Sequence, residues 1–374
     1  MKYFNKLGLF NTKGRLFKEP NNKFRTPFQR DRDRIIHSDA FRRLKHKTQV
    51  FVNTEGDHYR TRITHSIEVS QIARTIARYL KINEELSESI SLAHDLGHTP
   101  FGHAGEDSLN DCMNLYGGFD HNLQTLRIVM FLENKYINFN GLNLTIETLD
   151  GLLKHNGPIF DKSKIDRLIG IKNLKGNIDF LKFPSLESQI ATISDDIAYN
   201  NHDIQDGIRA KLFNLNDLLE INFFKNIYKR YSKKIKQINI NKDILTYQII
   251  RDSINLMVKD LINNTLKNIK KNNIKKLKQI SSINYNLVNF SKIFEEIINE
   301  VRFFLRINMY NNKNVQSKNN NGKKIIKKLF IIMDKNPRKF LNKEQLKFDK
   351  HRAIADFISG MTDRYAINLY NNIK

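Results

Sequence analysis

The stretch from Ser91 to Glu106 reads Ser-Leu-Ala-His-Asp-Leu-Gly-His-Thr-Pro-Phe-Gly-His-Ala-Gly-Glu, placing His94, Asp95, His98, His103 and Glu106 within thirteen residues. An imidazole beside a carboxylate is a borderline-plus-hard donor pair, suited to Mn, Fe, Co or Zn and less readily to Mg. Neighbours on a helix point about 100° apart, so His94 and Asp95 could share an ion only where a helix ends. The preceding residues predict such an end. Leu86, Ile90 and Ala93 have helical spacing, so His94-Asp95 is expected at a last turn with Gly97 as its stop.

The remaining donors must come from other elements. A helix is expected from about Arg62, with Ile63, Ile67, Ile72, Ile76 and Leu80 as its apolar side, and it carries His65. Another is expected after Pro184, with Ser185 as N-cap and Leu186, Ile190, Ile193 and Ile197 as its buried stripe. On it Asp195, Tyr199 and Asp203 recur every four residues along one face. If the three helices pack together, His65, His94, Asp95 and Asp195 converge on one ion and leave positions open for water and substrate, as catalysis requires. His103 and Glu106, three apart, form a second group in which a carboxylate can hold an imidazole for proton transfer near neutrality. Arg62, three before His65, sets a guanidinium on the same face, suited to phosphate oxygens.

The frame around these residues is a 374-residue chain, 40% hydrophobic, long enough for one large or two modest cores. A single cysteine, Cys112, excludes an internal disulfide. No signal-peptide pattern and no run of eighteen apolar residues occurs, so a soluble, cytoplasmic protein without a membrane partner is expected. Neither GxGxxG nor GxxxxGK[ST] is present, which argues against Rossmann and P-loop nucleotide binding. Net charge is +24, and +19 of it lies between Asn216 and Phe348, where 29 Lys and Arg face 10 Asp and Glu. That excess reads either as the lysine-rich habit of an AT-rich genome or as a surface for polyanions.

Along the chain, residues 1–24 read as an irregular arm. Ile36, Ala40 and Leu44 suggest one helix continuing through residue 44, and Asn53 to Thr61 suggest a polar loop. Helices are expected near Ala104–Leu115 and His121–Leu132, separated by Gly117-Gly118, and Lys154-His155-Asn156-Gly157-Pro158 is a stop. Asn311–Gly322 reads as low-complexity and mobile, and one last helix is expected from His351 through Ala366. No β-alternation is evident, so the fold class expected is all-α.

With these residues in place, the sequence resembles the HD phosphohydrolase superfamily through His65…His94-Asp95…Asp195. It resembles most closely the deoxyguanosinetriphosphate triphosphohydrolase-like deoxynucleoside triphosphate triphosphohydrolases. The likeness is carried by Arg25-Thr26, Phe28–Ser38, Ala40–Leu44, Lys47–Phe51, Arg62–Ser66, Ala93–Glu106, Phe119–Gln124, Lys154–Pro158, Asp195–Tyr199 and Gly360–Tyr365. It implies an HD core over 25–215, a basic helical region over 216–348 that the likeness does not place, and a C-terminal segment, 349–374, returning to the core. The implied reaction is hydrolysis of a deoxynucleoside triphosphate to the deoxynucleoside and intact triphosphate, with one divalent metal (Mn, Fe, Co or Mg) per subunit. By position, His65, His94, Asp95 and Asp195 would bind the metal, and His103, backed by Glu106, would do acid–base chemistry. Arg62, His98 and His121 would contact phosphates, Gln49 and Asp203 the sugar 3′-hydroxyl, and Tyr199 the deoxyribose. The resemblance also implies a homo-oligomer, and the basic region suggests weak single-stranded nucleic acid binding. Two alternatives stand beside this reading: an HD-type nucleotide phosphomonoesterase or phosphodiesterase, and a non-catalytic nucleic-acid-binding regulator.

Overall fold

The computed structural model describes residues 6–50, 59–231, 241–347 and 349–373. Regular structure among them is helical, with only isolated β-bridges such as Thr48–Thr61, so the all-α expectation holds. The first helices are α1 (Pro27–Ile36), α2 (Asp39–Arg43), α3 (Arg62–Leu80), α4 (Glu84–Ala93), α5 (Gly102–Met113) and α6 (His121–Arg127). They are followed by α7 (Ile146–Leu153), α8 (Ser163–Leu168), α9 (Leu186–Arg209), α10 (Leu215–Leu218) and α11 (Asn222–Lys229). The C-terminal part holds α12 (Lys242–Lys271), α13 (Leu277–Ile280), α14 (Lys292–Leu305), α15 (Lys313–Lys335), α16 (Lys350–Ser359) and α17 (Asp363–Ile373). No helix is long and apolar enough to cross a membrane.

Three helices that bear the chemistry are locked by their apolar stripes. Val69, Ile72, Ala73 and Ile76 of α3 join Ile190, Ile197 and Ala198 of α9 and Met257 and Leu261 of α12 in one buried cluster. On the other side of α4, Leu86, Ile90 and Ala93 pack with Phe28 and Ile35 of α1 and Leu149 and Leu152 of α7. Burying each large aliphatic side chain contributes about 1.5–3 kcal/mol, so the relative placement of α3, α4 and α9 is strongly determined. Ser185 caps α9 as the sequence suggests, accepting from the amide of Ser188, and Asn83, not foreseen from the sequence, caps α4 by accepting from the amides of Glu85 and Leu86.

Elsewhere the structure corrects the sequence reading. The helix expected to run through residue 44 breaks at His37-Ser38, because the Ser38 hydroxyl caps a new helix by accepting from the Phe41 amide. The break turns Ile36 outward while Ala40 and Leu44 stay buried. The helix expected to end near Leu132 is α-helical to Arg127 and finishes as a π-helical turn, Ile128–Leu132. Asn311–Gly322 is not a mobile tract: Asn312 caps α15, whose Val315 and Gly322 are buried. The single C-terminal helix is two, α16 and α17, parted at Gly360–Thr362. The polar loop expected over 53–61 lies mostly outside the described residues. The arm is irregular as expected but stitched down, Leu9 and Lys13 donating their amides to the buried carboxylates of Glu187 and Glu147.

The C-terminal helices reach back to the segment before α3. Lys47, 1% exposed, donates through Nζ to the carbonyls of His98 (2.5 Å) and Ser359 (2.8 Å). Asp363, at the start of α17, accepts from the amides of Thr48 (2.8 Å) and Phe101 (3.0 Å) and from the Thr48 hydroxyl. Asp363→Ala strands two buried amides, each costing about 1–3 kcal/mol. The variant should therefore unfold at a lower urea midpoint, with stability reduced by about 3 kcal/mol or more. An unchanged midpoint would show that α17 does not hold this loop.

Candidate active site

Arg62 opens α3 and places its guanidinium and His65 on the same inward side, both nearly fully buried. His94 caps the end of α4 and donates Nδ1–H to the carbonyl of Ser91 at 2.6 Å, which turns Nε2 toward the carboxylates of Asp95 and Asp195. The chain then turns through Gly97, but not as a left-handed helix stop. A Cβ on Gly97 would stand 2.0 Å from the His121 carbonyl and 2.4 Å from the Thr125 amide. The glycine is needed because the backbone of α6 lies against it, and that contact brings His121 to the site.

The carboxylate of Asp195 on α9 completes the group. Its Oδ1 lies 2.8 Å from His65 Nε2 and 3.6 Å from His94 Nε2, and its Oδ2 3.7 Å from His155 Nε2. Donor atoms of His65, His94 and Asp195 all fall within 4.8 Å of one another. Ligands about 2.0–2.2 Å from a shared ion sit about 3–3.5 Å apart, so these spacings suit one small divalent cation. The Nε2 of His94 is buried with no hydrogen-bond partner, as a metal ligand's donor atom would be. Asp95 stands at the edge of the trio, Oδ1 being 3.4 Å from His94 Nε2 and 3.1 Å from His98 Nε2, while Oδ2 pairs with Arg62 at 2.9 Å. Burial works against charge on these groups, yet Asp95 and Asp195 raise His94 to about 9, and both carboxyls are held well below their usual range.

The second group forms differently from the expected pair. Glu106 receives His121 Nδ1 at 2.8 Å and the His121 backbone amide at 2.9 Å, whereas His103 Nδ1 is 3.5 Å away on a side chain 70% exposed. The His98 ring stacks on that of His121 at 3.9 Å. Burial disfavours the Glu106 anion, but hydrogen bonds from His103 and His121 outweigh it and keep the carboxyl strongly acidic.

The metal-ligand trio and the rings of His98, His103 and His121 line one cavity of about 330 Å³, whose wall also includes Gln49, Val50, Tyr199, Tyr310, Val315 and Asn319. Gln49 reaches the cavity with a buried, unpartnered Oε1. Asp203, expected beside it on the sugar, does not line the cavity: its carboxylate accepts the Tyr310 hydroxyl, and burial raises it to about 7 despite that bond. Tyr310, Val315, Asn319 and His155 were missed by sequence reasoning. The first three lie in the region that read only as basic and low-complexity, and His155 sat in a segment read as a stop.

Comparison with known proteins decides the family. The HD domain model matches residues 62–167, and the phosphohydrolase-associated domain model matches 288–372. A deoxyguanosinetriphosphate triphosphohydrolase-like protein of Pelagibacter ubique (strain HTCC1062) is 69% identical over 373 residues, 100% of both chains. Proteins of the same name from Bartonella quintana (strain Toulouse) and Rickettsia felis are 46% and 44% identical, each over 97% of this chain and over 92% and 95% of their own. The chain belongs to this HD family. It is therefore a metal-dependent phosphohydrolase, and the likeness to these relatives extends across 216–348, which sequence reading left unplaced. For this site, His65→Ala and Asp195→Ala should each weaken binding of a divalent ion by more than the roughly 10–100-fold typical of lost outer partners. Elemental analysis of purified protein checks this. Full metal content in both variants would remove these residues from the ligand set.

Proposed function

We propose that the protein hydrolyses deoxynucleoside 5′-triphosphates to the deoxynucleoside and inorganic triphosphate. The observation that carries this reading is the mixed lining of this cavity: Arg62, His98, His121 and the metal-ligand trio line it together with the aromatic and apolar side chains of Tyr199, Tyr310 and Val315. Along α9, Asp195 and Tyr199 are one turn, about 5.4 Å, apart, so the phosphates would lie beside Asp195 and the sugar beside Tyr199.

In this reading His65, His94, Asp95 and Asp195 would hold the ion, which supplies Lewis-acid charge beside the α-phosphate. Water oxygen adds to the α-phosphorus, the bond from phosphorus to the 5′-oxygen breaks, and that oxygen takes a proton. Arg62 offers a buried guanidinium to the phosphate oxygens. Glu106 stays ionised and fixes His121 through Nδ1, so Nε2 is the ring atom left to exchange a proton; His103, edge-on to His121 at 6.0 Å between centroids, stands at the same mouth. Gln49 and Tyr199, which line the same cavity, would contact the sugar.

Glu106→Gln should keep the metal while turnover falls about 10²–10⁴-fold. His103→Ala should lower turnover in the same range with nucleotide binding nearly intact. Near-normal turnover in either variant would remove that residue from proton transfer. Ion-exchange separation of products from the four deoxynucleoside triphosphates tests the reaction itself. Intact triphosphate is expected, whereas orthophosphate or pyrophosphate would assign the protein to the phosphomonoester or phosphodiester chemistry of HD proteins.

A further inference from the structure

The helix α15 runs between the cavity and solvent, and its contact with the HD core is set by one residue. A Cβ on Gly322 would lie 2.8 Å from both Cβ and Cγ of Phe101. Only a glycine lets the α15 backbone come this close to Phe101, the residue that starts α5 in a left-handed conformation (φ 63°). Val315 and Asn319 are seven and three residues earlier on the same face, and both line the cavity. Val315 also packs in the cluster that holds Phe304, Met309 and Tyr310. Asn319, half-buried and one turn beyond Val315, thus lines the cavity on the side where Val315 packs with Tyr310. Its amide makes no hydrogen bond to any other described residue. Around it, Val50, Val315 and the two tyrosine rings supply apolar surface, so Asn319 presents an adjacent donor and acceptor on that part of the wall.

We infer that Asn319 reads the base of the bound nucleotide and that its amide makes the reading tolerant of all four bases. This rests on the proposed nucleotide cavity and extends it to base selection. Each base edge offers a donor beside an acceptor, and an amide that can rotate by half a turn pairs with either order. A carboxylate in its place would be acceptor-only. It would match guanine, whose ring N–H and amino group are two neighbouring donors, and would meet an acceptor on every other base.

The test uses Asn319→Asp in the full chain. Equilibrium dialysis of metal-stripped protein against dATP, dCTP, dGTP and dTTP reads affinity without turnover, and Mn²⁺-loaded protein is assayed in parallel for triphosphate. Wild type should bind the four within about tenfold of one another. In Asn319→Asp the added charge weakens binding generally, but the ratio of dGTP to each other nucleotide should rise about ten- to hundredfold. Asn319→Leu, of similar size, should weaken all four by a similar factor. Unchanged ratios in Asn319→Asp, or unchanged affinities in Asn319→Leu, overturn the role of Asn319 even where triphosphate is released. Shifted ratios without triphosphate release sustain it and overturn the proposed reaction instead. A wild-type protein that binds none of the four when metal-stripped and hydrolyses none of them when loaded with Mn²⁺ overturns both.

Discussion

Two opposite charges, the Arg62 guanidinium and the Asp95 carboxylate, lie almost entirely out of water at 2.9 Å from each other, and the site is built on that pair. Taking each ion out of water costs several kcal/mol, which one contact does not repay without further hydrogen bonds. Those bonds come from separate elements. The Arg62 amide donates to the Lys47 carbonyl at 3.3 Å, while Asp95 is approached by His94 from α4 and by His98 from the turn after it. Burial opposes the anion, but the neighbouring His94, Arg62 and His98 outweigh it and hold the Asp95 carboxyl well below its usual range. Arg62 is left with a buried Nε that has no partner, so part of its hydrogen-bonding capacity is unspent. Removing either partner would strand the other, so the metal-ligand group and the anion-binding group are energetically one unit.

That unit is roofed by parts of the chain far from it in sequence. Lys47 and Asp363 together join the segment before α3, the turn around Phe101, and the junction of α16 with α17. Every acceptor and donor in this knot is buried, so it exchanges with water only if the C-terminal helices lift away. The phosphohydrolase-associated region is therefore structural support for the catalytic turn as well as a wall of the cavity. The same helices bury Ile326, Leu329 and Met333 of α15 against Leu109 and Met113 of α5, which supplies the apolar energy the polar knot cannot.

The sequence made the ionic group legible because its residues must be reactive types at fixed helical intervals. His65, His94 and Asp195 sit on three helices whose apolar stripes were plain, and packing those stripes leaves one arrangement. Roles that depend on side-chain direction were not legible. Glu106 lies three residues from His103 and fifteen from His121, yet it bonds His121 more closely, because Gly97 lets α6 approach to backbone contact. Asp203 occupies a face that points toward the cavity in a bare helix, but Tyr310, from a region with no readable motif, takes up its carboxylate. Ile36 shows the same limit at the level of an element: its spacing with Ala40 and Leu44 was helical, and one serine hydroxyl overrode it.

The segment Asn311–Gly322 shows why composition misled where it mattered most. Asparagine and lysine favour solvent and turns, and an isolated stretch of them would not hold a helix. Here Asn312 serves as the cap, Val315 enters an apolar cluster, and Gly322 trades intrinsic helix stability for contact with Phe101. The glycine costs about 1 kcal/mol relative to alanine in an isolated helix, but alanine here would push against the side chain that opens α5. Local preference and tertiary fit therefore conflict at one residue, and tertiary fit prevails because it sets the distance between α15 and the histidine-bearing turn. A wall held to the histidine-bearing turn at that point keeps Val315 and Asn319 at a fixed separation from the histidines that line the same cavity.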